Sequence, residues 1–266
     1  MIKSIDKFYE IKEKHNSILC VGLDSDLDKT PEFLGKNVYS LLEFNRQIIE
    51  ATKDLVCAYK INFAFYEQYG VEGIEVLKKT FDLIPSEIFT IADAKRGDIG
   101  NTSKAYARSV YDYFGADSIT VHPYMGYDSV RPFLEFEGKF VFLLALTSNN
   151  GSKDFQYLEV NGEKLYKKVL SQSVLWGDAE RLGYVVGATH PEELGAIRNI
   201  VSDRLLLIPG VGVQGGDVEL TLKANRSGLA IINVSRDVIY VSNGVDFAEK
   251  SREKAIYYRD LFNLYK

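Results

Sequence analysis

Residues 88–99 run Ile-Phe-Thr-Ile-Ala-Asp-Ala-Lys-Arg-Gly-Asp-Ile, an apolar β-type stretch that ends in charge. If the strand continues, Asp93 and Lys95 project to one face and Ala94 and Arg96 to the other, because side chains alternate along a strand. Asp98 follows a glycine, where the chain should be leaving the strand. An unpaired ion in a low-dielectric interior is very costly, so acid, base and acid at one strand end suggest a prearranged electrostatic site. Flanking carboxylates keep a lysine protonated rather than nucleophilic. The plain alternative is an ion pair capping the strand, with Asp98 as a helix N-cap.

Such a strand end needs a scaffold to aim it. Short runs rich in Val, Ile and Leu recur along the chain at Ile18–Leu23, Leu55–Ile61, Ile88–Ala92, Ser118–His122, Phe140–Leu146, Tyr184–Gly187, Leu205–Ile208 and Ala230–Val234. Their near-continuous apolarity suits strands buried on both faces of a parallel sheet. Helical patterns lie between them. Tyr39–Thr52 carries Leu41, Leu42, Phe44, Ile48 and Ile49 at helical spacing, and Glu163–Leu175 and Asp246–Tyr265 behave alike. Eightfold strand–helix alternation predicts an α/β fold, a single-domain (β/α)8 TIM barrel over residues 1–266. A doubly wound open sheet is disfavoured, since no Gly-x-Gly-x-x-Gly follows the first strand. The longest connection, from Ser148 to about Gly183, lies after the fifth run, where a barrel could carry a lid.

Barrel chemistry sits at the C-terminal ends of the strands. The first polar residues there are Asp24, then Lys60 and Asn62, then Asp93 and Lys95, with Asp98 just beyond; later come His122 and Thr147-Ser148-Asn149. Three acids and two lysines from three neighbouring strands are expected to converge on one mouth. His122 reads better as a hydrogen-bonded structural residue than as a ligand, His190 precedes a helix start at Pro191-Glu192-Glu193, and His15 falls in a surface segment. No His, Cys and carboxylate combination has zinc-like spacing, and no serine nucleophile elbow is present. At the other end of the chain, Pro209-Gly210-Val211-Gly212-Val213-Gln214-Gly215-Gly216-Asp217 follows the seventh run, and Ser235-Arg236 ends the eighth. Glycines let backbone N–H groups approach an anion, a following helix N-terminus would add its dipole, Gln214 can donate, and Arg236 suits phosphate. The loops after strands seven and eight are the usual phosphate grip of such barrels.

The net charge of -5 argues against a nucleic-acid binder working by bulk electrostatics. Cys20 and Cys57 sit within apolar runs and form no metal or redox motif. The beginning of the sequence carries no signal-type apolar region and no run is long enough to span a membrane, so a cytoplasmic setting is expected.

Asp93-Ala94-Lys95-Arg96-Gly97-Asp98-Ile99-Gly100-Asn101-Thr102 resembles the Asp-x-Lys-x-x-Asp-Ile-x-x-Thr signature of orotidine 5′-phosphate decarboxylases. Pro209–Asp217 and Ser235-Arg236 resemble that family's phosphate-binding segments, and Gly187-Ala188-Thr189 is more like its bacterial and protozoan branch than the shorter archaeal one. The resemblance covers essentially the whole chain. It implies a Lys60–Asp93–Lys95–Asp98 charge array, with Lys95 as proton donor and neither metal nor cofactor. It further implies ribose contacts from Asp24, Lys60, Thr102 and Asn62, base reading among Thr147, Ser148 and Asn149, and a phosphate grip from Pro209, Gln214, Ser235 and Arg236. The implied ligands are orotidine 5′-monophosphate and UMP. The implied partner is a second copy of the chain, each copy lending Asp98, Ile99 and Thr102 to the other's site; no nucleic acid or membrane is involved. Three alternatives stay open: another phosphosugar decarboxylase barrel with the same core, expected to need Mg²⁺; a Schiff-base aldolase; and a non-catalytic phosphate-binding barrel.

Overall fold

The computed structural model describes residues 3–211 and 217–265. Eight parallel strands close on themselves: β1 Leu19–Gly22, β2 Ala58–Asn62, β3 Phe89–Arg96, β4 Ser118–Val121, β5 Phe140–Leu146, β6 Leu182–Val186, β7 Leu206–Pro209 and β8 Ala230–Val234. Closure is made by β8 on β1, with Leu19 opposite Ile232 and Val21 opposite Val234. The chain is therefore a (β/α)8 barrel, and each of the eight apolar runs becomes a barrel strand. Their apolarity has the expected cause: β1, β4, β6 and β8 are buried at every position. Phe89, Phe140 and Phe142 pack as a ring cluster, and the helix Ser4–His15 sets Phe8 edge-on to Phe89 at 6.0 Å. Burying each such ring contributes roughly 1.5–3 kcal/mol.

The outer helices follow the sequence pattern closely. Ser40–Thr52 buries Leu41, Phe44, Ile48 and Ile49, and Phe44 stacks on Phe247 of the helix Phe247–Asn263 at 5.2 Å. The helix expected from Glu163 begins instead at Leu165, because Glu163–Lys164 pairs with Glu159–Val160 in a two-stranded antiparallel ladder. His15 is half-buried rather than on the open surface, with its ring Nδ1 2.8 Å from the Val56 carbonyl oxygen. Pro191 opens the helix Pro191–Val201, where its missing N–H costs nothing. Among the described residues no helix is long and apolar enough to cross a membrane.

One departure from regularity bears on the site. β3 runs past its apolar part to Arg96, and its register against β4 slips between Ala92 and Arg96. Lys95 sits in this bulge at φ 47°, a left-handed conformation that an L-residue seldom adopts.

Candidate active site

A cavity of about 420 Å³ opens among the C-terminal ends of the strands. Asp24, Lys60, Asn62, Asp93 and Lys95 line one part of it, as strand-end parity requires. Lys60 is buried, with its Nζ 3.2 Å from Asp24 Oδ1 and 3.1 Å from Asp93 Oδ2. Lys95, half exposed, donates to the other Asp93 oxygen at 2.6 Å. Arg96 points away, pairing with Glu67 and lying over the Phe63 and Tyr106 rings. Two acids and two lysines thus alternate in one compact array.

Burial alone would push the Asp93 carboxyl up, but the adjacent Lys60 and Lys95 outweigh it and hold Asp93 well below the usual carboxylate range. Burial would likewise lower Lys60, yet Asp24 and Asp93 raise it well above the ordinary lysine value. Both groups are charged at neutral pH. A fixed carboxylate facing a substrate and a charged ammonium beside it can repel one anionic group while stabilising a neighbouring carbanion.

Thr120 on β4 completes the array, and no motif singled it out. Its hydroxyl donates to Asp93 Oδ1 at 2.9 Å and accepts from the Lys95 backbone N at 3.0 Å. It therefore ties the carboxylate to the bulge that carries the lysine. The available signal was a hydroxyl inside the buried run Ser118–Val121. Asn233 in β8 is a parallel case: it also lines the cavity and donates to Ser235 Oγ at 3.2 Å.

Asp98, Ile99 and Thr102 do not join this cavity. Beyond Gly97 the chain turns outward, leaving Ile99 and Thr102 exposed. The Asp98 carboxylate accepts from the Ile99 N at 2.8 Å, while Ser103 Oγ takes the Asp98 N and donates to its carbonyl. Convergence within one chain thus stops at two acids rather than three. Nor does Asp98 cap the following helix Gly100–Arg108, whose N-cap position is Ile99. His122 packs against Gly97 and does not line the cavity.

Another part of the wall comprises Pro209, Gly210, Val211, Ser235 and Arg236. Gln214 and its neighbours Gly212–Gly216 lie outside the described residues. The helix Val218–Asn225 is capped by Asp217, which accepts from the Leu220 N at 2.8 Å. That carboxylate meets the helix dipole, so the expected contribution of this dipole to an anion site is offset by the chain's own charge. Ser235 approaches so closely that a Cβ on Gly22 would lie 1.9 Å from its Oγ, which explains glycine at the end of β1. Thr147, Ser148 and Asn149 line the wall after β5, and Leu144, Val185 and Leu207 add apolar surface. Among the described residues no group of three or more His, Cys, Asp or Glu is disposed to hold a metal ion.

A closed barrel with an alternating lysine–carboxylate array and an arginine on one cavity is an enzyme barrel for a small anionic substrate. The chain matches the family described as orotidine 5′-phosphate decarboxylase / HUMPS over residues 17–251. It belongs to that family. An orotidine 5′-phosphate decarboxylase of Dehalococcoides mccartyi is 48% identical over 272 residues, covering 100% of this chain and 99% of the relative. One from Flavobacterium johnsoniae is 52% identical, covering 90% of each. Among solved structures, the Leishmania donovani OMP decarboxylase superposes with a TM-score of 0.87 at 34% identity, covering 99% of this chain and 98% of that one.

Proposed function

We propose that the chain decarboxylates orotidine 5′-monophosphate to UMP and CO2 in pyrimidine biosynthesis, by metal-free electrostatic catalysis with Lys95 as the proton donor. As a member of its family it is a carboxy-lyase. The observation that carries the mechanism is Asp93, buried and charged between Lys60 and Lys95 in the cavity.

The bond from ring C6 to the carboxylate breaks, CO2 leaves, and the electron pair stays on C6. Asp93 faces the substrate carboxylate; at ~4 Å and an effective dielectric of about 20 their repulsion is on the order of 4 kcal/mol. The repulsion assists only because it is relieved as the departing carbon becomes neutral. The Lys95 ammonium stabilises the growing carbanion and then transfers its proton to C6, regaining one from solvent. Lys60, held by Asp24 and Asp93, keeps the array rigid and its charges balanced. Asp24 and Asn62 hold the ribose with Lys60, Thr147–Asn149 read the ring, and Pro209, Gln214, Ser235 and Arg236 take the phosphate. Binding energy from that distant phosphate helps assemble the reacting geometry.

Asp98, Ile99 and Thr102, outside their own cavity with Ile99 and Thr102 exposed, complete the site of a second copy in a homodimer. The free, buried Cys20 and Cys57 suit a reducing cytoplasm. The test follows the absorbance of orotidine monophosphate with enzyme and a chelator present, for the wild type and Lys95→Ala. Turnover in the wild type alone is expected; a silent wild type, loss of activity on chelation, or an undiminished variant overturns the proposal.

A further inference from the structure

The segment after β5 is held by an arrangement the mechanism does not use. Strand pairing ends at Leu146, whose carbonyl accepts from the Gly187 N at 2.9 Å. The next residue, Thr147, has its polar groups taken by side chains from two other segments. Gln156 Oε1 accepts from the Thr147 N at 2.8 Å, and Gln156 Nε2 donates to Thr147 Oγ1 at 2.8 Å. Thr147 Oγ1 then donates to Asn149 Oδ1 at 2.6 Å. His190 Nε2 lies 3.1 Å from the Thr147 carbonyl oxygen. A carbonyl only accepts, so Nε2 carries the hydrogen, while Nδ1 lies 3.1 Å from the Tyr157 hydroxyl and 4.0 Å from Glu192 Oε1.

Ser148 is confined from beneath as well. A Cβ on Gly187 would lie 2.8 Å from the Ser148 N and 2.9 Å from its Cβ, so only glycine permits this approach. The bracket is itself braced. The Tyr166 N donates to the Gln156 carbonyl at 3.0 Å, and Glu193 accepts from Lys164 Nζ at 2.7 Å and from the Tyr166 hydroxyl. The long insertion after β5 therefore grips the cavity wall through Gln156, and the segment after β6 grips the same residue through His190.

We propose that Gln156 and His190 are positioning residues that aim Thr147–Asn149 at the pyrimidine ring, giving the site its preference for a base-bearing ligand. This rests on reading the cavity as the orotidine monophosphate site. Neither side chain lines the cavity, so both act through Thr147. Gln156 meets Thr147 through its amide and His190 through one N–H to the carbonyl, so what the bracket supplies is direction. Its loss acts on the ring and leaves the phosphate end alone.

The test compares equilibrium binding of UMP with that of ribose 5-phosphate, which lacks the ring, in the wild type, Gln156→Met, His190→Ala and His190→Gln, alongside thermal unfolding. Gln156→Met and His190→Ala are expected to weaken UMP roughly five- to tenfold each, the scale of one or two neutral hydrogen bonds. Ribose 5-phosphate should stay within about twofold. His190→Gln, whose terminal amide can donate to the Thr147 carbonyl, should recover most of the loss. Parallel weakening of both ligands, no weakening of either, or failure of His190→Gln to recover overturns the bracket while leaving the substrate assignment intact. A wild type that binds both ligands equally overturns the assignment and the bracket together.

Discussion

Thr120→Val replaces a hydroxyl with a methyl of the same shape at a position that is 1% exposed. Two hydrogen bonds are lost, one donated to the Asp93 carboxylate and one accepted from the Lys95 backbone N. A bond to a charged group contributes about 1.5–3 kcal/mol, and a buried N–H left without a partner costs about 1–3 kcal/mol. The Lys95 N–H bond is only part-buried, so the smaller end of the second range applies. The loss of stability is then roughly 2–4 kcal/mol, lowering Tm by about 5–10 °C in a chain of this size. Catalysis should suffer separately. The left-handed conformation of Lys95 costs about 1–3 kcal/mol and persists only while its surroundings enforce it. Without Thr120 the bulge can relax and carry the Lys95 ammonium out of line. A displacement near 1 Å costs on the order of 100-fold, so kcat is expected to fall roughly 10- to 100-fold while UMP affinity hardly changes. Steady-state kinetics, UMP titration and thermal unfolding on Thr120→Val and Thr120→Ser measure all three. Thr120→Ser keeps the hydroxyl and should retain most of the rate. A Thr120→Val enzyme that turns over normally, or a Thr120→Ser enzyme no better than it, would refute the reasoning.

Lys60→Met leaves Asp24 and Asp93 facing each other without their shared cation and should cost roughly 3–5 kcal/mol in urea unfolding. The same pair predicts a pH signature. Lys60 is raised in the folded state, so its contribution is complete below ~10.4 and is lost as pH climbs through the higher folded value. Asp93 is lowered, so its contribution is present above ~3.9 and is lost as pH falls through the lower folded value. The wild-type minus Lys60→Met difference in unfolding free energy should therefore shrink at alkaline pH; a constant difference contradicts it. If the dimer shares sites, mixing inactive Lys95→Ala with inactive Asp98→Asn should restore about one quarter of wild-type activity, because half the dimers form one intact site. A mixture as inactive as its components would place Asp98 elsewhere. Gly22→Ala forces a Cβ onto Ser235 Oγ and should raise KM for the phosphate-bearing substrate at a stability cost of about 1–3 kcal/mol; an unchanged KM would show that Ser235 yields freely.

The sequence by itself determined the barrel and the chemical character of its mouth. Eight apolar runs separated by helical patterns have few other ways to bury both faces of every strand. Strand parity was enough to send Asp93 and Lys95 one way and Arg96 the other. Only the tertiary structure decided what holds those charges in place. Thr120 and Asn233 are polar residues inside apolar runs, and their partners Asp93 and Cys20 lie on neighbouring strands. The Lys95 bulge arises from the register of β3 against β4, which no local pattern encodes. The grip of His190 on Thr147 also depends on a contact between segments far apart in sequence, whereas Asp98 is held by its near neighbours Ile99 and Ser103. Local periodicity sets which face a residue occupies; the closed barrel sets which distant side chains share that face.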